Sequence, residues 1–285
     1  MTTRTRNLTF FLLCAVSIVF WWNGLVATFW LAWTNDAYTH ILLILPLVAG
    51  LIYLDKVKLH IESKASLGVG VALLVIALGI GCYARWQMTS SSSSLTVGMS
   101  ALVLWWIASF LLCFGAIALD SLFFPLCCLF LIVPIPDFAL SRIVEFLQYQ
   151  SALAARIMFR AIGVPATQDG IMLSIPGLDI EVARECSSIR SSLMLVVTTM
   201  VFAHLFLRSW WRKALLIVAA IPLSVAKNGL RIFTIAELGT RVDPGFLKGN
   251  LHHHGGFVFF GVSVVAMIVL LWIVRRSEVP SLKNS

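Results

Sequence analysis

The chain has 285 residues, 60% of them hydrophobic and only 12% charged, with a formal net charge of +8 and a mean hydropathy of +0.95. A soluble domain is about one quarter charged, so this composition excludes a fold whose main solvent is water. The basic excess is explained by retained cytoplasmic flanks and anionic lipid; no stripe of alternating bases and aromatics points to nucleic acid.

A hydrocarbon core of about 30 Å takes roughly 20 apolar residues per helical span. Charge-free runs of that kind predict an all-α polytopic protein with about eight transmembrane helices, over Leu8–Ala32, Thr39–Leu54, Ala65–Ala84, Leu95–Phe114, Ala116–Val133, Ser187–Leu207, Ala214–Glu237 and Gly255–Val274. The fourth and fifth nearly touch across Gly115 to Ser121, as a tight hairpin or a re-entrant turn would. The first has a basic start in Arg4 and Arg6, but it is too long for a signal peptide and Trp21, Trp22 and Asn23 offer no small-residue cleavage pattern, so it reads as an uncleaved anchor. Trp21, Trp22, Trp30, Trp33, Trp105, Trp106, Trp210, Trp211 and Trp272 fall mostly near predicted span ends, where indoles anchor at the interface.

Basic residues set the expected orientation. Arg4 and Arg6 precede the first span, Lys56, Lys58 and Lys64 follow the second, Arg208, Arg212 and Lys213 follow the sixth, and Arg275 with Arg276 follow the eighth. Lys and Arg are retained on the cytoplasmic side, so this pattern predicts a cytoplasmic N-terminus and an even number of spans. One membrane domain is expected, with N-terminal helices over 1–133, an extracytoplasmic amphipathic helix and loop over 134–185, catalytic helices over 186–274 and a cytoplasmic tail over 275–285. After the Pro134 and Pro136 break, Phe138, Ile143, Val144, Leu147, Leu153, Ile157 and Met158 recur at helical spacing while Arg142, Glu145, Arg156 and Arg160 take other positions. That is the pattern of a helix lying on the outer leaflet. Gly163 to Pro165 ends it, and Gly170 to Val182, alternating around Pro176 and Gly177, predicts a short hairpin.

Five of the six cysteines, Cys14, Cys82, Cys113, Cys127 and Cys128, lie in apolar spans without metal-ligand spacing and read as buried inert thiols. Cys186 is left over. It opens the sixth span from outside, Arg231 lies about two turns from the outer end of the seventh, and His252 begins the eighth at the same face. A thiolate at a helix N-terminus is favoured by free backbone N–H groups and by a nearby cation such as Arg190 at i+4. A fixed guanidinium stabilises the oxyanion formed by attack on a carbonyl, and a histidine can take the thiol proton and return it to a leaving amine. The bland alternatives are a small residue at a span end and snorkelling basic side chains. Lys227 and Arg231 resist that reading, because an ion inside a span costs a few kcal/mol unless it faces a partner or a wet cavity. His252, His253 and His254 point in different directions on a helix and have no Asp, Glu or Cys at i+3 or i+4, so no metal and no cofactor is expected.

Three blocks then carry a resemblance: ECSSIRSS from Glu185 to Ser192, NGLRI from Asn228 to Ile232, and HHHGGFVFF from His252 to Phe260. In type, order and placement they resemble the signature blocks of the exosortase and archaeosortase family of polytopic membrane proteins. The resemblance covers the second half of the chain, from about Pro134; the first four helices match only as hydrophobic spans. It implies Cys186 as nucleophile with Arg231 and His252 beside it, and Arg190, Lys227, Asn228, His253 and His254 as supporting candidates, the last two because they could replace His252 if the register slips by a residue. Ser188 departs from the pattern, standing where a glycine is common. The implied activity is a thiol endopeptidase or transpeptidase in the bacterial inner membrane. It would recognise tail-anchored exported proteins ending in a short Pro-Glu-Pro-like (PEP-CTERM-like) motif, a transmembrane helix and basic residues, and would pass the acyl group to water or an amine. Two other readings of the residues stay open: a transporter or flippase of an anionic solute or lipid using Lys227, Arg231 and Arg190, and a membrane acyltransferase with His252 as base. Neither needs the Cys186 thiol.

Overall fold

A computed structural model of the chain describes residues 3–55, 66–86, 92–182, 189–247 and 256–277. It bears out the all-α polytopic expectation: six described helices are long and apolar enough to cross a bilayer, or up to eight spans if each of two bent pairs counts as one. The chain divides into two units, Met1–Leu140 and Ser141–Ser285.

In the first unit the predicted first span is two helices, α1 (Thr3–Phe20) and α2 (Trp22–Thr34), bent by 75°. Trp21 stands at the bend, buried, with its indole over Gly81, where an added Cβ would lie 2.6 Å from the ring. A short 3-10 turn, Asp36–Tyr38, leads into α3 (Ile41–Asp55); α4 (Leu67–Trp86) and α5 (Ser92–Phe114) follow. The buried face of α4 is Gly70, Ala77, Gly81 and Ala84, small residues that let helices approach closely in lipid. The α5 indoles do not all sit at the interface as expected. Trp105 Nε1 donates to the Leu13 carbonyl at 3.0 Å and Trp106 Nε1 to Ser17 Oγ at 2.9 Å, tying α5 to α1.

The predicted fifth span is not one helix. It consists of α6 (Ala116–Ser121), α7 (Phe123–Cys128) and a 3-10 turn over Leu129–Ile132. Pro134 and Pro136 then interrupt the chain, and carbonyls near them lack the amide partners a helix would supply. The Tyr38 hydroxyl donates to the Ile135 carbonyl at 2.8 Å and Thr96 Oγ1 to the Pro134 carbonyl at 2.9 Å. Hydroxyls thus satisfy backbone that lipid cannot.

The second unit holds most of α8 (Asp137–Ala161), a three-stranded antiparallel meander of β1 (Thr167–Asp169), β2 (Met172–Ile175) and β3 (Leu178–Glu181), and three long helices, α9 (Ile189–Phe206), α10 (Trp210–Arg241) and α11 (Gly256–Arg276). The hairpin expected over Gly170 to Val182 is β2 and β3, with Ile175 opposite Leu178; the preceding strand β1 is additional. Its turn is Pro176-Gly177, where proline fixes φ at the first central position and Gly177 takes φ +83° at the second.

Along α8 the face packed on protein is Val144, Leu147, Gln148, Ser151, Ala152, Ala155 and Phe159, while the expected apolar positions Phe138, Ile143 and Ile157 are exposed. Exposed aliphatic and aromatic groups on a membrane helix face lipid. The sheet is bonded to α8. Gln148 Nε2 donates to the Val182 carbonyl at 2.6 Å, Gln168 Nε2 to the Tyr149 carbonyl at 3.1 Å, and Arg160 Nε to the Ala166 carbonyl at 3.2 Å. One core joins α8, the sheet and α10: Ala152, Ala155, Phe159, Leu173, Ile175 and Val182 pack with Ile232 and Ala236.

Two narrow seams complete the bundle. Ser192, Leu195, Thr199 and Ala203 line α9, and Phe259, Ser263, Met267 and Leu271 line α11 at strict four-residue spacing. α8 and α10 approach closely at Gly229, where a Cβ would lie 2.5 Å from Ala154 Cβ and 3.1 Å from the Ala155 nitrogen. Gly229→Ala is therefore expected to overpack this crossing and cost about 1–3 kcal/mol. Thermal unfolding in detergent should show that loss and its partial recovery in Gly229→Ala/Ala154→Gly; an unchanged melting temperature for the single variant would contradict the packing.

Candidate functional site

Lys227, Asn228 and Arg231 lie on the C-terminal half of α10, and burial separates them from ordinary snorkelling cations: they are 6%, 0% and 8% exposed. An α-helix turns about 100° per residue, so Lys227 and Arg231 share a face while Gly229 lies about 200° round from Lys227. The contacts match that geometry. Gly229 meets α8, whereas Lys227 Nζ donates to Ser191 Oγ in the first turn of α9. One turn earlier, Ser224 Oγ donates to Ser192 Oγ at 2.6 Å. Two adjacent hydroxyls of the ECSSIRSS block are thus bonded to residues about one helical turn apart, just before the NGLRI block.

Length along α10 gives the depth of this cluster. The helix has 32 residues, about 48 Å at 1.5 Å per residue, longer than a hydrocarbon core of about 30 Å. From Arg212 to Arg231 is about 28 Å. With Arg212 at one interface, Arg231 comes close to the other, and the last turns of α10 carry the ion pair of Arg241 Nε with Glu237 at 2.7 Å. Pro222 removes one backbone hydrogen bond between these levels, two residues before Ser224 and five before Lys227.

Of the other residues singled out from sequence, Arg190 is exposed in the first turn of α9. Cys186, His252, His253 and His254 lie outside the described residues, as do Lys56, Lys58 and Lys64. On either side of Cys186 the chain is held: Val182 is buried and accepts from Gln148, and Ser191 and Ser192 are bonded to α10. Sequence reasoning passed over Ser191, Ser192, Ser224 and Gln148. The available signals were the serine pair inside the ECSSIRSS block and a glutamine beside Val144 and Leu147 on an apolar helix face.

The Ser191–Lys227 contact has a measurable weight. A double-mutant cycle of Ser191→Ala and Lys227→Met should give a coupling of about 0.6–1.7 kcal/mol, the range of hydrogen bonds between membrane helices. Unfolding titrations in mixed micelles measure it, and zero coupling would mean that the bond contributes nothing to stability.

No curated protein and no solved structure matches the chain. A family model described as transmembrane exosortase matches residues 30–269, which takes in all three sequence blocks and most of the helices that precede them. The chain belongs to the transmembrane exosortase family.

Proposed function

We propose that the protein is a membrane-embedded thiol endopeptidase or transpeptidase that cleaves the C-terminal sorting signals of exported proteins through a cysteine thioester. The observation that carries this reading is the family match over residues 30–269 together with the bonding of the first block, through Ser191, to Lys227, the residue immediately before the second block. In this reading the helices over 186–274 are the catalytic section, and the site faces the extracytoplasmic side of the bacterial inner membrane. Substrates are tail-anchored proteins with a PEP-CTERM-like ending.

His252 takes the Cys186 proton and the thiolate attacks the scissile carbonyl carbon, giving a tetrahedral intermediate whose oxyanion Arg231 stabilises. Collapse breaks the C–N bond. The leaving amine takes the proton from the histidine, so the tail departs with a new N-terminus and stays in the membrane. The thioester is then opened by water or an amine, which loses a proton to the same histidine and restores the thiol. A buried guanidinium is suited to this work because in a dry site its field is not screened by water and it needs no reorientation as charge develops.

With a reporter carrying a Pro-Glu-Pro-like motif, a transmembrane helix and a basic cluster, Cys186→Ala should abolish processing, by roughly 10³-fold or more, at unchanged protein abundance. Complete processing by that variant would overturn the thiol mechanism and favour the transporter or acyltransferase readings, which tolerate thiol alkylation. Arg231→Lys should lower turnover by roughly 10²–10³-fold. Among alanine variants of His252, His253 and His254, one should lose about 10²–10⁴-fold and the other two little, identifying the acid–base residue; three equally active variants would remove histidine from the mechanism.

A further inference from the structure

Away from these residues, at the other end of the three-helix bundle, the α9–α10 connection and the last turn of α11 gather Arg208, Arg212, Lys213, Arg275 and Arg276. Contacts bring the two segments that carry them together. Arg212 Nη2 donates to the Ser277 carbonyl at 2.8 Å, and the Arg275 guanidinium lies 5.8 Å from the Phe206 ring. Beneath them Ala203, Leu207, Leu216 and Leu271 form one buried cluster. Residues 201–220 and 263–277 contain no Asp or Glu, and Glu278 is the next acid in the sequence.

Aromatic groups share the layer and remain exposed: Trp210 is 79%, Trp211 51% and Trp272 52% exposed. Two of them also carry cations, with Arg276 3.9 Å above the Trp272 ring and Arg212 5.0 Å from the Trp211 ring. Indoles prefer the headgroup level. Below it, Leu215, Val218, Ile268 and Val269 are exposed apolar side chains on α10 and α11 that fit acyl chains. Guanidinium forks match phosphate oxygens bidentately, and a free anion would use neither the indoles nor the aliphatic faces.

We propose that this end of the bundle is a binding site for an anionic phospholipid, with its phosphate held by Arg208, Arg212, Lys213, Arg275 and Arg276 and its chains lying along α10 and α11. The site is separate from the proposed chemistry and does not depend on it. Juxtamembrane cations each strengthen attraction to anionic lipid by roughly fivefold.

The full-length protein in mild detergent, titrated with phosphatidylglycerol and phosphatidylcholine and followed by native mass spectrometry, should retain phosphatidylglycerol preferentially. Arg208→Gln/Lys213→Gln/Arg276→Gln should weaken that retention by roughly 100-fold and leave phosphatidylcholine unchanged. Should the triple variant not fold, Lys213→Gln and Arg276→Gln alone should each show roughly a fivefold loss. Arg4→Gln, in the first turn of α1, should cost clearly less than Lys213→Gln or Arg276→Gln, and millimolar inorganic phosphate should not compete. Equal retention of the two lipids, undiminished retention by the variants, an equal loss in Arg4→Gln, or displacement by phosphate would each overturn the proposal.

Discussion

An ammonium and a guanidinium one helical turn apart within an apolar span are the costliest groups in the second unit. In hydrocarbon neither can lean on water, so each must be met by protein or by a wet cavity. Lys227 is met by Ser191, and the serines one position further along α9 and one turn earlier on α10 are bonded to each other. This fixes the rotation of α10 against α9. Gly229 on the opposite side then brings α10 against α8, and the core of Phe159, Leu173, Ile232 and Ala236 continues the packing toward the sheet.

That arrangement gives α8 and the sheet a mechanical role. The strands are only three or four residues long, and the sheet takes support from the helix it packs on. Three side-chain bonds tie it to α8, and Leu173 and Ile175 bury against the same alanines that meet α10. The strand preceding the cysteine block is thereby attached to the element that carries Arg231. A reacting geometry needs such support, because a displacement of about 1 Å is enough to slow chemistry by about 10²-fold.

The spans were legible because hydropathy is a local property, summed over consecutive residues without reference to the fold. Lys227 and Arg231 were legible for the complementary reason: a charge inside such a run stands out whatever surrounds it. What the sequence hid depends on tertiary contact. The bend at Trp21 has no proline to announce it, and the indole's place over Gly81 is a packing fact. Only part of the packed face of α8 was legible: Val144 and Leu147 belong to the apolar pattern, but Ser151, Ala152 and Ala155 signal close approach rather than hydrophobicity, and Phe138, Ile143 and Ile157 of that pattern are exposed. Strand β1 was hidden because Thr167–Asp169 is three polar residues with no alternation to read. The pairing of Ser191 with Lys227 joins positions 36 apart in the chain, and nothing in either local stretch encodes it.

The run of α10 from Trp210 to Arg241 as one helix, with Pro222 inside it, has an evolutionary consequence. A loop absorbs an inserted or deleted residue, but a helix transmits it: one residue added between Arg212 and Lys227 would rotate everything beyond it by about 100° and raise it by about 1.5 Å. Lys227 would then turn away from Ser191 and Gly229 away from Ala154 in a single event, while the basic end stayed in place. Substitutions in that stretch can accumulate one at a time, but changes of length cannot, so descendants of this chain are expected to vary in residue type there and keep the count.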